Sequence, residues 1–273
     1  MAEFSPASLN SGVEPDGSWM MVPLNGYNFV SFSLLEGKNL KLKYNNNYIK
    51  VEDVPDARPN IRILKVSGLK YGDSELKIEN SKIDVSVKKL KLIKLAFNVV
   101  WKEGTAKVSY TSVIKEMVKH VNNILTPQAN IKILHEYPIQ YLFVKDNNIR
   151  QIRPEFRGKG LPIDTWDNVV KQGHKSPGIT NVFFVMSLGL TSRKGVINQS
   201  HGLTYKNNIM IPKKRSMMAF SRTLAHEVIH ALGFDASFHT NGTLMGEAKL
   251  LQDYTPTSAS MSIPKALVNK FNP

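Results

Sequence analysis

The alternation of hydrophobic and polar positions changes period about a third of the way along the chain. Up to about residue 90, apolar residues recur at every second position in short runs, as in Leu40-Lys41-Leu42-Lys43-Tyr44, Leu76-Lys77-Ile78 and Asp84-Val85-Ser86-Val87. A period of two is that of a strand with one buried face. The pattern predicts strands over Trp19–Val22, Asn28–Leu34, Asn39–Tyr44, Tyr48–Val51, Ile61–Ser67, Ser74–Glu79 and Ile83–Val87. Turn-forming residues separate them: Glu36-Gly37, Asn45-Asn46-Asn47, the stretch from Pro55 to Pro59, Tyr71-Gly72-Asp73 and Asn80-Ser81. Short strands spaced roughly 8–12 residues apart, with turn signals between them, are the pattern of a β-sandwich.

Beyond this point the period lengthens. Leu92 to Trp101 is strongly apolar and strand-like. Val113, Ile114, Met117, Val118, Val121, Ile124 and Leu125 then recur at helical spacing, with Thr111 or Ser112 able to cap the helix and Pro127 expected to end it. Asn130–Leu134 and Tyr141–Val144 follow as strands. Residues 145–178 carry Arg153-Pro154, Arg157-Gly158-Lys159-Gly160 and Ser176-Pro177-Gly178 and read as a long loop, interrupted by a short helix from capping Asp164 to about Lys171. Asn181–Leu188 has the look of a buried strand, and Gly202–Tyr205 and Asn208–Ile211 are shorter ones. A second helix begins near Met218 or Ala219. The expected class is α+β. An N-terminal tail over 1–17 precedes a small all-β sandwich domain over 18–92, and a second domain spans 93–273.

Composition narrows the chemistry. The 273 residues include no cysteine, which excludes a disulfide scaffold, a thiolate zinc site, an iron–sulfur cluster and a cysteine nucleophile. The formal net charge is +14. Residues 1–92 hold 13 basic and 11 acidic side chains and residues 93–273 hold 23 and 11, so the excess belongs to the second part. No apolar run approaches the ~18 residues of a spanning helix, so no membrane span is expected. The stretch from Met1 to Gly17 lacks a basic region before an apolar core and does not read as a signal peptide.

The second helix carries His226-Glu227-Val228-Ile229-His230. Residues four apart share a helix face, with Cβ atoms about 5–6 Å apart, so two imidazoles there can close on one Zn²⁺ at about 2.0–2.1 Å. Glu227 is placed to take a proton from the attacking water and to hand it to a leaving amine. Leu224, Ala225, Val228, Ile229, Ala231 and Leu232 supply the apolar surroundings of a buried site helix, and Gly233 stands where a left-handed helix stop needs glycine. An ordinary helix with two structural histidines is the bland alternative. The spacing is rare by chance in a chain with only 7 histidines.

Thr223 to Phe234, together with His239 and Leu244-Met245-Gly246, resembles the metzincin clan of zinc metallopeptidases, whose signature is H-E-x-x-H-x-x-G-x-x-H followed by a methionine turn. The likeness extends loosely over about residues 97–250, through the first helix and Asn122, Gln128, Asn130 and Ile131, but it is specific only over 223–246. It implies a zincin-like catalytic domain with a mixed twisted sheet, bound Zn²⁺, a protein or peptide substrate, and Met245 as the floor beneath the metal. One departure matters: the clan's third ligand falls three residues after the glycine, which here is Ala236. A three-residue insertion would restore His239. Asp235 and Glu247 are the alternatives, and Tyr254 is a distant candidate for oxyanion polarisation. The passage from Val66 to Ile78 resembles the later strands of bacterial Ig-like modules, beside the plainer reading of a small β-domain.

The site residues expected from these readings are therefore Glu227 as general base and acid, and His226, His230 and His239 as zinc ligands. His120, His135, His174 and His201 are expected to be structural or surface residues. The competing function is a basic polyanion- or surface-binding module with a structural zinc site, built on Lys213-Lys214-Arg215 and Arg157-Gly158-Lys159. No aromatic interleaving and no nucleic-acid motif accompany those clusters, so nucleic acid is not the expected partner. The basic coat would instead draw the enzyme to acidic protein surfaces. A β-domain joined to a basic peptidase without a signal peptide also fits a toxin-like effector, delivered outside the producing cell by a secretion-system carrier.

Overall fold

The computed structural model describes residues 3–8, 11–33, 41–56, 58, 60–145, 148–152, 166–191, 197–199, 202–212, 216–234, 239, 244–245 and 262–273. The fold is mixed α+β, mostly strands in several sheets. The chain divides into two compact units, one of residues 1–92, 122–132 and 238–273, the other of residues 93–121 and 133–237.

The first unit holds two four-stranded sheets. In one, β1 (Phe4–Pro6), β3 (Tyr27–Ser33), β6 (Ile61–Gly68) and β5 (Ile49–Val54) lie side by side in that order, every pair antiparallel. In the other, β2 (Trp19–Pro23), β8 (Ser81–Lys88), β7 (Gly72–Ile78) and β4 (Leu42–Tyr44) are ordered likewise, with β2 parallel to β8 and the remaining pairs antiparallel. The period-two pattern has a direct consequence here. Val30, Phe32, Ile49, Leu64 and Val66 of the first sheet share one buried core with Met20, Val22, Leu76, Ile78, Ile83, Val85 and Val87 of the second. Each large apolar side chain in it contributes about 1.5–3 kcal/mol by leaving water. The leading segment is paired as well: Phe4 is buried and its ring lies 4.8 Å from that of Phe32.

The second unit is built on a sheet in the order β10 (Ile131–Leu134), β9 (Lys91–Lys102), β13 (Ile179–Val185), β17 (Asn208–Pro212) and β16 (Leu203–Tyr205), with β11 (Gln140–Val144) also paired to β9. Strand β13 runs parallel to both β9 and β17, while β16 and β17 form an antiparallel hairpin that leaves β16 at the end of the order. Strand β13 is buried along its whole length, as a central parallel strand covered on both faces must be. On one face Phe184 stacks near Phe97 and Tyr110 and meets the ring edge of Phe220 at 5.8 Å. On the other, Val100, Phe183, Val185 and Met210 pack with Trp166 and Val169 of the short helix α2 (Trp166–Val170).

Three local expectations are corrected and one strand is added. Pro127 does not end the first helix: α1 runs Thr111–Ala129 with the proline inside it. Its missing N–H costs only the bond to the carbonyl four residues back, and the helix stops where Asn130 turns to φ 49°. Residues 145–178 are not one loop, since β12 (Asn148–Ile152) pairs in parallel with β14 (Ser187–Thr191). The run Asn181–Leu188 is not one strand either: it divides at Met186 between β13 and β14, which lie in different sheets. Finally β15 (Ile197–Gln199), which no periodicity marks, pairs antiparallel with β14. No helix among the described residues is long and apolar enough to cross a membrane.

Candidate metal centre

The helix that carries the histidines, α3, spans Met217–Ala231. It starts one or two residues before the sequence expectation and is capped by Ser216, whose hydroxyl accepts a hydrogen bond from the Ala219 amide at 3.2 Å. It ends past Leu232 at Gly233, whose φ of 102° is open to glycine and strained for other residues. Between these stops, Ala219, Phe220, Leu224, Ala225, Val228 and Ile229 are buried, and the helix packs against β16 and β17. The apolar residues that bury this helix also fix which way the remaining positions face.

That orientation brings His226 and His230 together, with ring centroids 4.7 Å apart and Nε2 atoms 3.0 Å apart. Two nitrogens bound to one tetrahedral ion at zinc–imidazole distances lie about 3.3 Å apart. The observed spacing therefore fits a shared ion after a shift of tenths of an ångström. The other nitrogen of His230, Nδ1, faces the carbonyl oxygen of Phe234. A carbonyl only accepts, so this contact puts the ring proton on Nδ1 and leaves the Nε2 lone pair for a metal. With His239, these two histidines make up a set of three that could hold a metal ion. Asp235, Glu247 and Tyr254 lie outside the described residues.

Glu227 sits between the two helix histidines and is only 4% exposed. Its Oε2 accepts a hydrogen bond of 2.6 Å from the hydroxyl of Thr204, which also lies 3.1 Å from the Glu227 carbonyl oxygen. On the Oε1 side the chain passes close at Gly202, where an added Cβ would stand 2.5 Å from that oxygen. Thr204 and Gly202 are the residues that sequence reasoning missed. Their only signal was position, two apart on a predicted strand.

Met245 is fully buried, and the amide of its neighbour Leu244 donates to the carbonyl of Ser262 at 2.9 Å. The other described histidines stand apart from this group. His120 pairs along α1 with Glu116 at 3.6 Å, His135 lies edge-on to Phe97, and His174 lies beside Tyr137. His201 and the clusters Lys213–Arg215 and Arg157–Lys159 lie outside the described residues. A separate cavity of about 740 Å³ lies in the first unit, among Lys43, Asp73, Glu75, Lys77, Asp84 and Lys265. Its charges largely answer one another, as Lys77 does Glu75 and Lys265 does Asp84.

No family model matches this sequence, and neither does any curated protein. Among solved structures, archaemetzincin from Methanopyrus kandleri is similar at a TM-score of 0.38 and 14% identity, over 66% of this chain and 93% of that one.

Proposed function

We propose that this protein is a zinc-dependent endopeptidase, with His226, His230 and His239 holding the ion and Glu227 serving as general base and then general acid. The observation that carries this reading is the pair of imidazole Nε2 atoms 3.0 Å apart on one face of α3, with a buried carboxylate on the residue between them. The donor set fits zinc: imidazole nitrogens, with one ring oriented by a carbonyl, in a chain without thiols. When bound, zinc supplies Lewis acidity at the scissile carbonyl and at the attacking water.

The residues of the chain supply the rest. Glu227 takes the proton of the water and later delivers it to the departing amine, and its burial keeps bulk water from competing for that proton. Strand β16, which ends its sheet among the described residues, offers an edge to which an extended peptide can add by backbone hydrogen bonds. Residues 93–273 are read as a zincin-like domain, a mixed sheet with the site helix packed on it. Residues 18–92 are read as an Ig-like sandwich, for which the common core of the two four-stranded sheets speaks. The substrate is a protein or peptide, and the net charge of +14 favours acidic ones.

The test is unbiased mapping of peptides cut from a digested proteome by zinc-loaded wild type and by Glu227→Gln side by side. Cleavages made by the wild type and absent from the variant are expected. Equal cleavage by both proteins, or none by a wild type shown to contain stoichiometric zinc, would overturn the reading.

A further inference from the structure

We infer that Gly202 and Thr204 are positioning residues for Glu227, and that the edge strand thereby sets the rotamer of the general base. This deepens the hydrolytic reading and rests on it for its catalytic consequence. Side chains two apart on an extended segment point to the same side, and both of these positions meet the Glu227 carboxylate. Thr204 holds it by a bond. Its hydroxyl has one proton to give, and the 2.6 Å contact to the carboxylate oxygen is the shorter and charge-assisted choice over the 3.1 Å contact to the backbone carbonyl. Gly202 leaves it room. An added Cβ would stand 2.5 Å from Oε1 and 3.0 Å from Cδ of Glu227, distances at which the carboxylate must move.

A glutamate has three side-chain torsions, and one that sits beside two ligand histidines has more than one use for its oxygens. The seat on the strand selects a single arrangement. It commits Oε2 to Thr204 and leaves Oε1 in the gap that glycine keeps open. Positioning of this kind raises catalytic rate without adding a contact to the substrate. The strand proposed to receive the peptide thus also fixes the carboxylate.

Three variants and two readouts test this. Thr204→Val keeps the β-branched shape and removes the hydroxyl, whereas Thr204→Ser keeps the hydroxyl. Gly202→Ala adds the intruding atom at a backbone angle that alanine tolerates, against side-chain atoms of Glu227 and Thr223. With zinc content unchanged, Thr204→Val and Gly202→Ala are expected to lower kcat by about 10- to 100-fold with KM near wild type, and Thr204→Ser to restore most of the loss. Wild-type kcat in Thr204→Val, or a loss that serine does not restore, would overturn the inference.

The second readout needs no activity. In the metal-free chain, a double-mutant cycle of Thr204→Val and Glu227→Ala, read by denaturant unfolding, is expected to show coupling of about tenfold or more in the unfolding equilibrium constant. Additive effects would mean that the two residues do not hold each other. If the wild type cuts no peptide at all, the hydrolytic reading fails and the cycle alone decides whether the seat exists.

Discussion

Replacing Glu227 by glutamine should separate the chemistry of the site from its architecture, because the two respond with opposite sign. The side chain is 4% exposed and receives the Thr204 hydroxyl at 2.6 Å. An amide oxygen of the same shape can accept that bond, which then becomes a neutral one. A hydrogen bond to a charged group contributes about 1.5–3 kcal/mol and a neutral one about 0.5–1.5, so the exchange costs about 1 kcal/mol. Against it stands relief from holding an anion away from water, an effective penalty of several kcal/mol. Folding stability should therefore stay level or rise. Catalysis should fall, because an amide cannot accept the proton of the attacking water. General-base assistance is worth about 10²–10⁴-fold, or about 2.7–5.4 kcal/mol of barrier at 1.36 kcal/mol per tenfold. Glu227→Ala should lose the same activity, and in addition lose stability on the order of 2 kcal/mol to the space it leaves. The assay is kcat on a peptide taken from the mapped cleavage sites, with zinc content by mass spectrometry and thermal unfolding on the same samples. A glutamine variant that keeps its zinc and retains kcat within tenfold of wild type would refute the role of Glu227. One that loses zinc along with activity would instead show the carboxylate to be structural.

The remaining expectations concern the ion, acid and the first unit. His226→Ala and His230→Ala should each abolish stoichiometric zinc and turnover, and zinc retained by either would contradict the site. His239→Ala should weaken zinc binding sharply; an unchanged affinity would move the third ligand to Glu247 or Asp235. Burial holds His135 below its ordinary value of 6.5, with Lys115 adding repulsion and a backbone bond to Tyr137 opposing both. The unfolded chain thus takes up a proton there before the folded one does, so stability should fall as pH drops below about 6.5 towards the folded value. His135→Phe, measured by thermal unfolding across that range, should flatten the dependence, and an unaltered slope would show that other groups set it. Trp19 donates to Ser86 at 2.9 Å, and Ser86 in turn donates to Asp73 at 2.6 Å. Trp19→Phe should cost about 1–2 kcal/mol by denaturant titration, and a neutral result would show that the serine finds another donor.

Strands of the first unit such as β6 and β7 were legible because alternate positions are buried. Ile61–Ser67 is found as Ile61–Gly68, and Ile83–Val87 lies within Ser81–Lys88. Other strands gave no such signal. Phe4–Pro6 is too short to show a period and is held by pairing with a strand 26 or so residues away. Asn148–Ile152 sits among loop signals and owes its state to Ser187–Thr191. The break at Met186 is invisible in a run of apolar residues, because two consecutive strands read the same as one when both are covered. At Pro127 the local preference was outweighed, since a single lost bond near a helix end is a small term beside the burial of Ile124, Leu125 and Ala129.

The site divides along the same physical line. His226, Glu227 and His230 could be found from sequence because one helix is their scaffold, and a rigid scaffold converts spacing into geometry. His239 lies beyond the helix, at a spacing that departs from the metzincin pattern, so sequence alone left Asp235 and Glu247 as alternatives. The seat of the carboxylate is less legible still. It is made by a segment 23 residues earlier, from a threonine on the edge strand and the glycine just before that strand, both ordinary residues there. What identifies them is a relation: the helix fixes where the carboxylate is, and the strand must leave room at one position and offer a hydroxyl at the next on the same side. A chain can therefore carry the helix motif intact and still leave its general base unseated. On the proposed mechanism, glycine and threonine in this register beside the helix are a sharper requirement for turnover than the five-residue motif alone.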